Sequence, residues 1–222
     1  MRNSSFSRAR NIPLLLLNEK QSSGGDTTLL ATDTRVPGRL LGRHEVYEDI
    51  GAHEYIVDSI RNGYKLEFDE NPPQSFTRSN KSAREKPDFV WEELLRLEKL
   101  GSISRSIEKP HIVLPLSCVY SNKWRLVVDA SRTLNPFCTK TKKKLEDLSH
   151  VGHTLHPGDF MVCNDLDSGY WHVPIHAEHK KFLGWHVVKE DGEVIYWVWN
   201  VLCLGLRDAA YIFTKLLAPL LV

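Results

Sequence analysis

Cysteine is scarce in this sequence: Cys118, Cys138, Cys163 and Cys203 are spread through 222 residues, and no two form a Cys-x-x-Cys pair. Structural zinc sites are commonly built on such pairs, which argues against one here. Scattered cysteines fit free thiols in a reducing compartment. Net charge is lacking too. Lys and Arg number 29 against 28 Asp and Glu, a formal charge of +1, which by itself does not mark a nucleic-acid binder. There is no long apolar run. Ile12-Pro13-Leu14-Leu15-Leu16-Leu17 follows Arg2, Arg8 and Arg10 in the manner of a signal peptide, but it is too short and no small-residue cleavage site follows closely. The apolar stretch 216–222 is far below the ~20 residues needed to span a bilayer. Internal repeats are absent. These absences lead us to expect a soluble intracellular protein, in cytoplasm or nucleus, with no membrane partner.

What is present is an ordinary globular composition, 41% hydrophobic and 26% charged, with length for one large domain or two small ones. Residues 1–40 are rich in Ser, Thr, Arg and Gly without a sustained period, and are expected to be disordered. Residues 41–109 read as a helical lead-in. Ile50, Ile56, Val57 and Ile60 suit one helical face that ends at Asn62-Gly63, and Tyr64 to Phe68 alternates like a short strand. Residues 86–101 predict a helix, with Pro87 and Asp88 at its start, an apolar stripe through either Val90, Leu94, Leu97 and Leu100 or Trp91, Leu94 and Leu95, and Gly101 as its stop. From 110 to 222 the texture is mostly strands. Expected strands are 111–116, 117–120, 124–129 and 158–165, then a hairpin of 182–188 and 194–199 around Asp191-Gly192. Residues 207–217 predict a helix, limited by Pro219.

Local charge is less even than the total. Lys140, Lys142, Lys143 and Lys144 form one basic run, and Lys180 and Lys181 another. Either is a phosphate-attracting patch or simply a solvated face. The segment with the most chemical content is Asn164-Asp165-Leu166-Asp167-Ser168-Gly169-Tyr170. An apolar strand delivers Asp165 and Asp167 to its end, on one face if the strand continues. Clustered carboxylate oxygens suit a hard cation such as magnesium, though one strand end cannot complete a two-metal site. The plainer reading is a strand that ends in an Asp-rich turn. His172 and His176 have no matching set of ligands around them.

Segment order sharpens this. Asp165-Leu166-Asp167-Ser168-Gly169-Tyr170-Trp171-His172-Val173-Pro174-Ile175 resembles the first palm motif of reverse transcriptases from gypsy-like and tyrosine-recombinase (DIRS-type) retrotransposons. Lys123 to Asp129 with Leu134-Asn135 resembles the fingers motif that precedes it. Phe182-Leu183-Gly184-Trp185, Tyr196, Leu202-Cys203-Leu204-Gly205-Leu206 and Ile212-Phe213-Thr214-Lys215 resemble the palm motif that follows. The likeness covers about residues 44–222. It implies an α+β fold, the fingers and partial palm of a right-hand polymerase, with an antiparallel sheet backed by helices. It also implies an RNA-directed DNA polymerase that uses Mg2+, dNTP and an RNA or DNA template–primer. Asp165 then matches the first catalytic aspartate and metal ligand, and the Leu166 carbonyl a further ligand. Tyr170 matches the residue under the incoming sugar, where a ring rejects a ribose 2′-hydroxyl. Lys123 and Arg125 match positions near the triphosphate, and Gly205 the place where backbone approaches nucleotide and template. Asp167 matches a variable, structural position.

The sequence departs from the family at Cys203 and Ala210, where prolines are usual, and it contains no Tyr-x-Asp-Asp motif, which in the family supplies the other catalytic carboxylates. The expectation is the front part of a reverse transcriptase, inactive by itself. The alternatives are a domesticated or remnant nucleic-acid-binding or interaction module, and a structural protein with no ligand. The 222-residue chain is expected to give no product in a primer-extension assay. Extension that disappears in Asp165→Ala is the result that contradicts this.

Overall fold

The computed structural model describes residues 37–140, 156, 158–160, 165–189 and 191–220. Residues 1–36 of the segment expected to be disordered, Lys142 to Lys144, Cys163 and the middle of the strand expected over 158–165 lie outside the described residues.

Two short helices come first, α1 (His44–Asp49) and α2 (Glu54–Asn62). The single face expected through Ile50, Ile56, Val57 and Ile60 holds for the last three, which are buried. Gly51, at φ 71°, turns the chain between the helices and leaves Ile50 exposed. Tyr64 to Phe68 is not a strand. Tyr64 bridges to Ile175 and Phe68 to Cys138, so the two ends have different partners and no ladder runs between them. Strand β1 (Ser75–Phe76) and the one-turn helix α3 (Lys81–Arg84) follow.

Helix α4 (Pro87–Leu100) forms where the spacing predicts it. Pro87 occupies the first turn, where its missing N–H is no loss, and Asp88 sits at the positive end of the helix dipole. Gly101 adopts the left-handed conformation that ends the helix. Its N–H donates to the Glu98 carbonyl at 2.9 Å, and that of Ser102 to Leu97 at 3.1 Å, which closes a Schellman motif. Of the two expected stripes the buried one runs through Val90, Leu94 and Leu97, while Leu100 and Trp91 are half-buried and Leu95 is exposed.

The strands after α4 are β2 (Ile103–Ser106), β3 (Ile112–Val113), β4 (Leu116–Ser121), β5 (Lys123–Val128), β6 (Gly184–Val188) and β7 (Val194–Trp199), before helix α5 (Ala209–Leu217). Five strands form one sheet in the order β1-β3-β6-β7-β2, and β4 and β5 form a separate hairpin. The expected antiparallel sheet is corrected to a mixed one. β6 pairs antiparallel with β7, and β7 with β2, but β1–β3 and β3–β6 are parallel. The reason is connection length. β3 joins its neighbours through long excursions, which permit parallel pairing, whereas β6 and β7 share a tight turn, which does not. The run expected over 111–116 also divides. Leu114 still donates to the Gly184 carbonyl at 2.7 Å, but Pro115 has no N–H to continue the ladder, and Leu116 starts the hairpin. Likewise β6 starts at Gly184, since Phe182 belongs to a 3-10 turn, Ala177–Phe182.

The core lies between α4 and one face of the sheet. Trp185 and Trp197 are fully buried on adjacent strands. Trp91 of α4 meets Trp197 edge-on, 5.9 Å between ring centres, and Trp199 lies 5.5 Å from Trp185. Such ring pairs add about 0.5–1.5 kcal/mol each beyond their area. The fold is thus α+β, a mixed sheet with helices. No helix among the described residues is long and apolar enough to cross a membrane.

His172 and His186 are both buried, and burial pushes the pKa of both below the ordinary histidine value. In the unfolded chain both take up protons near pH 6.5. Below that pH the unfolded state binds more protons than the folded one, so stability falls as pH drops. The urea midpoint is expected to fall between pH 7.5 and about pH 5.5, above the carboxylate range. A flat profile over this window in the wild type contradicts the burial of these rings.

Candidate functional site

The β4–β5 hairpin turns at Ser121-Asn122, where Asn122 takes a left-handed φ of 59°. In its register Arg125 faces Val119, Trp124 faces Tyr120 and Lys123 faces Ser121. Lys123 and Arg125 are exposed. The Lys86 ammonium sits 4.0 Å over the Trp124 ring and ties the start of α4 to the hairpin. After β5 comes Asp129. The Ser131 hydroxyl (2.5 Å) and amide (3.1 Å) donate to its carboxylate, as does the Asn80 amide (3.2 Å). These donors, the Ser131 hydroxyl first, hold its pKa below the usual carboxylate value. Asp129 therefore fixes the end of β5.

The opposite wall comes from the segment with the paired aspartates. It does not continue as a strand. Asp167 and Ser168 form a turn, with Ser168 at φ 52°, and a 3-10 helix, Gly169–His172, follows. Asp165 and Asp167 are exposed, and the Ser168 hydroxyl donates to Asp167 at 3.1 Å. His172 Nε2 lies 3.1 Å from the Asp167 carbonyl, so it carries the proton and pins the turn from below. From the other side, the Gly38 N–H donates to the Trp171 carbonyl (2.7 Å) and that of Leu40 to His172 (3.0 Å). Tyr170 is half-buried, its ring edge-on to Phe213 of α5 at 5.5 Å. Gly169 packs close beneath it, and an added Cβ would lie 2.8 Å from the Phe213 ring, which would have to shift.

These walls face each other across a cleft of about 760 Å³. Lys123, Trp124, Arg125 and Leu126 line one side, Asp167 to Trp171 the other, with Leu204 between. The structure thus brings together three of the residues singled out by sequence, Lys123, Arg125 and Tyr170. Asp165 and Leu166 lie just before the lined stretch and are not among the described lining residues. The sequence reading missed Glu93 and Arg96 of α4. Arg96 donates two bonds to the Glu93 carboxylate, both 2.7 Å, and its guanidinium lies 5.7 Å from the Trp171 ring centre. The only local signal was an i, i+3 ion pair on the polar face of a helix, which most helices carry.

Gly205 is constrained by packing within the chain. At φ 108° a Cβ there would lie 2.0 Å from the Val128 carbonyl oxygen. Asn135 locks this approach. Its Nδ2 donates to the Gly205 carbonyl at 3.0 Å, and its Oδ1 accepts from the Arg207 N–H at 3.0 Å. Arg207 in turn donates to the carbonyls of Cys138 and Thr139.

A divalent cation finds an incomplete donor set. Asp165 and the Leu166 carbonyl offer hard oxygens, but one Asp167 oxygen is engaged by Ser168. Among the described residues no three His, Cys, Asp or Glu side chains converge. The described residues do not make up a magnesium site. His172 is held by Asp167, and His176 Nδ1 accepts from the Glu178 N–H at 3.3 Å, so each ring already has a structural partner. Cys118, Cys138 and Cys203 are buried and form no disulfide among the described residues.

Compared with known proteins, the chain matches no family model and no curated protein.

Gly205→Ala is expected to lower the melting temperature well beyond Gly42→Ala. Both positions have positive φ, but only Gly205 has backbone in the way, while Gly42 faces open space. Equal losses in the two variants contradict the close approach.

Proposed function

We propose that the chain is a reverse-transcriptase segment of a retrotransposon, DIRS-type or gypsy-like, that binds nucleotide and template–primer without completing the polymerase chemistry. The supporting observation is that Lys123, Arg125 and Tyr170 line one cleft although Arg125 and Tyr170 are 45 positions apart in the sequence. On this reading the β4–β5 hairpin belongs to the fingers, and the Gly169–His172 turn with α5 to the palm.

The residue types suit the task. Two cations on one hairpin neutralise phosphates, and the guanidinium of Arg125 can grip two phosphate oxygens at once. Tyr170 is held by Phe213 with part of its ring toward the cleft. A rigid ring under a sugar leaves room for a deoxyribose and collides with a 2′-hydroxyl. Glu93 braces Arg96 in the same opening, so this part of the cleft carries a fixed ion pair with no net charge. The transfer step itself needs further carboxylates, and the described residues do not supply them. A binding module without catalysis therefore uses the same cleft.

Anisotropy titration of the 222-residue chain with a labelled primer–template duplex tests the reading. Lys123→Ala and Arg125→Ala are each expected to weaken binding and to lower the slope of log affinity against log salt by about 1. Affinity and salt slope unchanged in both variants overturn the assignment of the cleft.

A further inference from the structure

The five-stranded sheet has a second face, turned away from α4 and the cleft. Side chains alternate along β6 and β7, so Trp185, Trp197 and Trp199 point to α4, and Trp199 also meets Trp171 at the cleft wall, 6.3 Å between ring centres. His186, Val188, Val194 and Tyr196 therefore point the other way. His186 pairs directly with Tyr196, and Val188 with Val194. Phe76 on edge strand β1 extends this row, its ring 4.5 Å from that of His186, and the Tyr196 ring lies 6.3 Å from His186 on the other side. Phe76, Val188 and Val194 are exposed, at 49, 54 and 42%. Exposed Phe76 and half-buried Tyr196 thus flank the buried ring of His186 on this face, beside an apolar pair.

The charge on this face has one sign where it meets the rings. The Lys109 ammonium lies 4.8 Å over the Phe76 ring. Arg78 and Lys109 are the charged groups that act on His186, and both, after burial, depress its pKa. His186 Nδ1 is buried with no hydrogen-bond partner among the described residues. Acidic side chains lie at the tip of the β6–β7 hairpin instead. There Glu193 is paired with Lys189, and Asp191 caps the Glu193 N–H at 2.9 Å.

We propose that this face binds a single-stranded polynucleotide, with bases on Phe76 and Tyr196 and phosphates on Arg78 and Lys109. Rings on an open sheet flanked by cations are the arrangement that stacks successive bases while holding the backbone. An exposed lysine over a phenyl ring is a weak contact. Lys109 can give up that ring to a base and move to a phosphate, exchanging one weak interaction for a stack and an ion pair. An apolar protein partner explains the valines but not the cations that converge on the rings. The site is separate from the cleft and does not depend on its reading.

The test is anisotropy of a labelled twelve-residue oligothymidylate with the full 222-residue chain, in the wild type and in Lys123→Ala/Arg125→Ala. Binding is expected in both. Phe76→Leu, which keeps the apolar surface but removes the ring, is expected to weaken it about tenfold in both backgrounds. Lys109→Gln is expected to lower the salt slope by about 1. If the cleft variant alone abolishes binding and Phe76→Leu does nothing, the oligonucleotide sits in the cleft and the face is overturned. If the cleft variant is silent with both oligonucleotide and duplex while Phe76→Leu weakens oligonucleotide binding, the face stands and the cleft reading falls. Concentration-dependent dimers that Phe76→Leu abolishes, with no oligonucleotide bound, assign the face to a second copy and also overturn the proposal.

Discussion

The carbonyl of Val128 occupies the place where a side chain at residue 205 would stand. Much of the cleft depends on that single close approach. It sets the end of β5 against the loop that leads into α5, and it can exist only because residue 205 is glycine. Asn135 then satisfies the exposed polar groups of the loop, taking the Gly205 carbonyl and the Arg207 N–H with the two ends of one amide. Leu204 is thereby held between the two walls of the cleft. A wider separation here would part the cations of β5 from Tyr170.

The rest of the molecule is arranged to keep those walls in place. The tryptophan cluster fixes α4 on the sheet, and α4 in turn carries Glu93 and Arg96 to the cleft. Trp199 and Trp171 transmit the same packing to the 3-10 helix that holds Tyr170. The indole N–H groups of Trp185, Trp197 and Trp199 have no acceptor among the described residues. Each such group costs about 1–3 kcal/mol, so this core is retained for its shape and apolar area and not for its polar contacts.

Most elements with a strong local signal were readable in advance. The α4 stripe of Val90, Leu94 and Leu97 with Gly101 behind it, and the β6–β7 hairpin around Asp191-Gly192, need only period and turn chemistry. Failures came where distant partners decide. Tyr64 to Phe68 alternates correctly for a strand, yet its two ends bridge to Ile175 and Cys138, 111 and 70 positions further along the chain. Glu93 and Arg96 carry no pattern that separates a cleft wall from any solvated helix face. The parallel pairings of β3 depend on which strands meet across long connections, and no local rule reports that.

By itself the sequence determined the order of the motifs, the placement of Arg125 on a strand with Lys123 next to its start, and the glycine at 205. These follow from residue type and spacing along a short stretch of backbone. Only the tertiary structure decided that Lys123, Arg125 and Tyr170 share a cleft, and that Phe76, His186 and Tyr196 line up on the opposite face. It also showed what packs against Gly205, since the atom that excludes a side chain there belongs to Val128, at the end of β5. Contacts between segments far apart in the chain depend on how the sheet is ordered and which helix covers it. Those are properties of the packed whole, and no single segment encodes them.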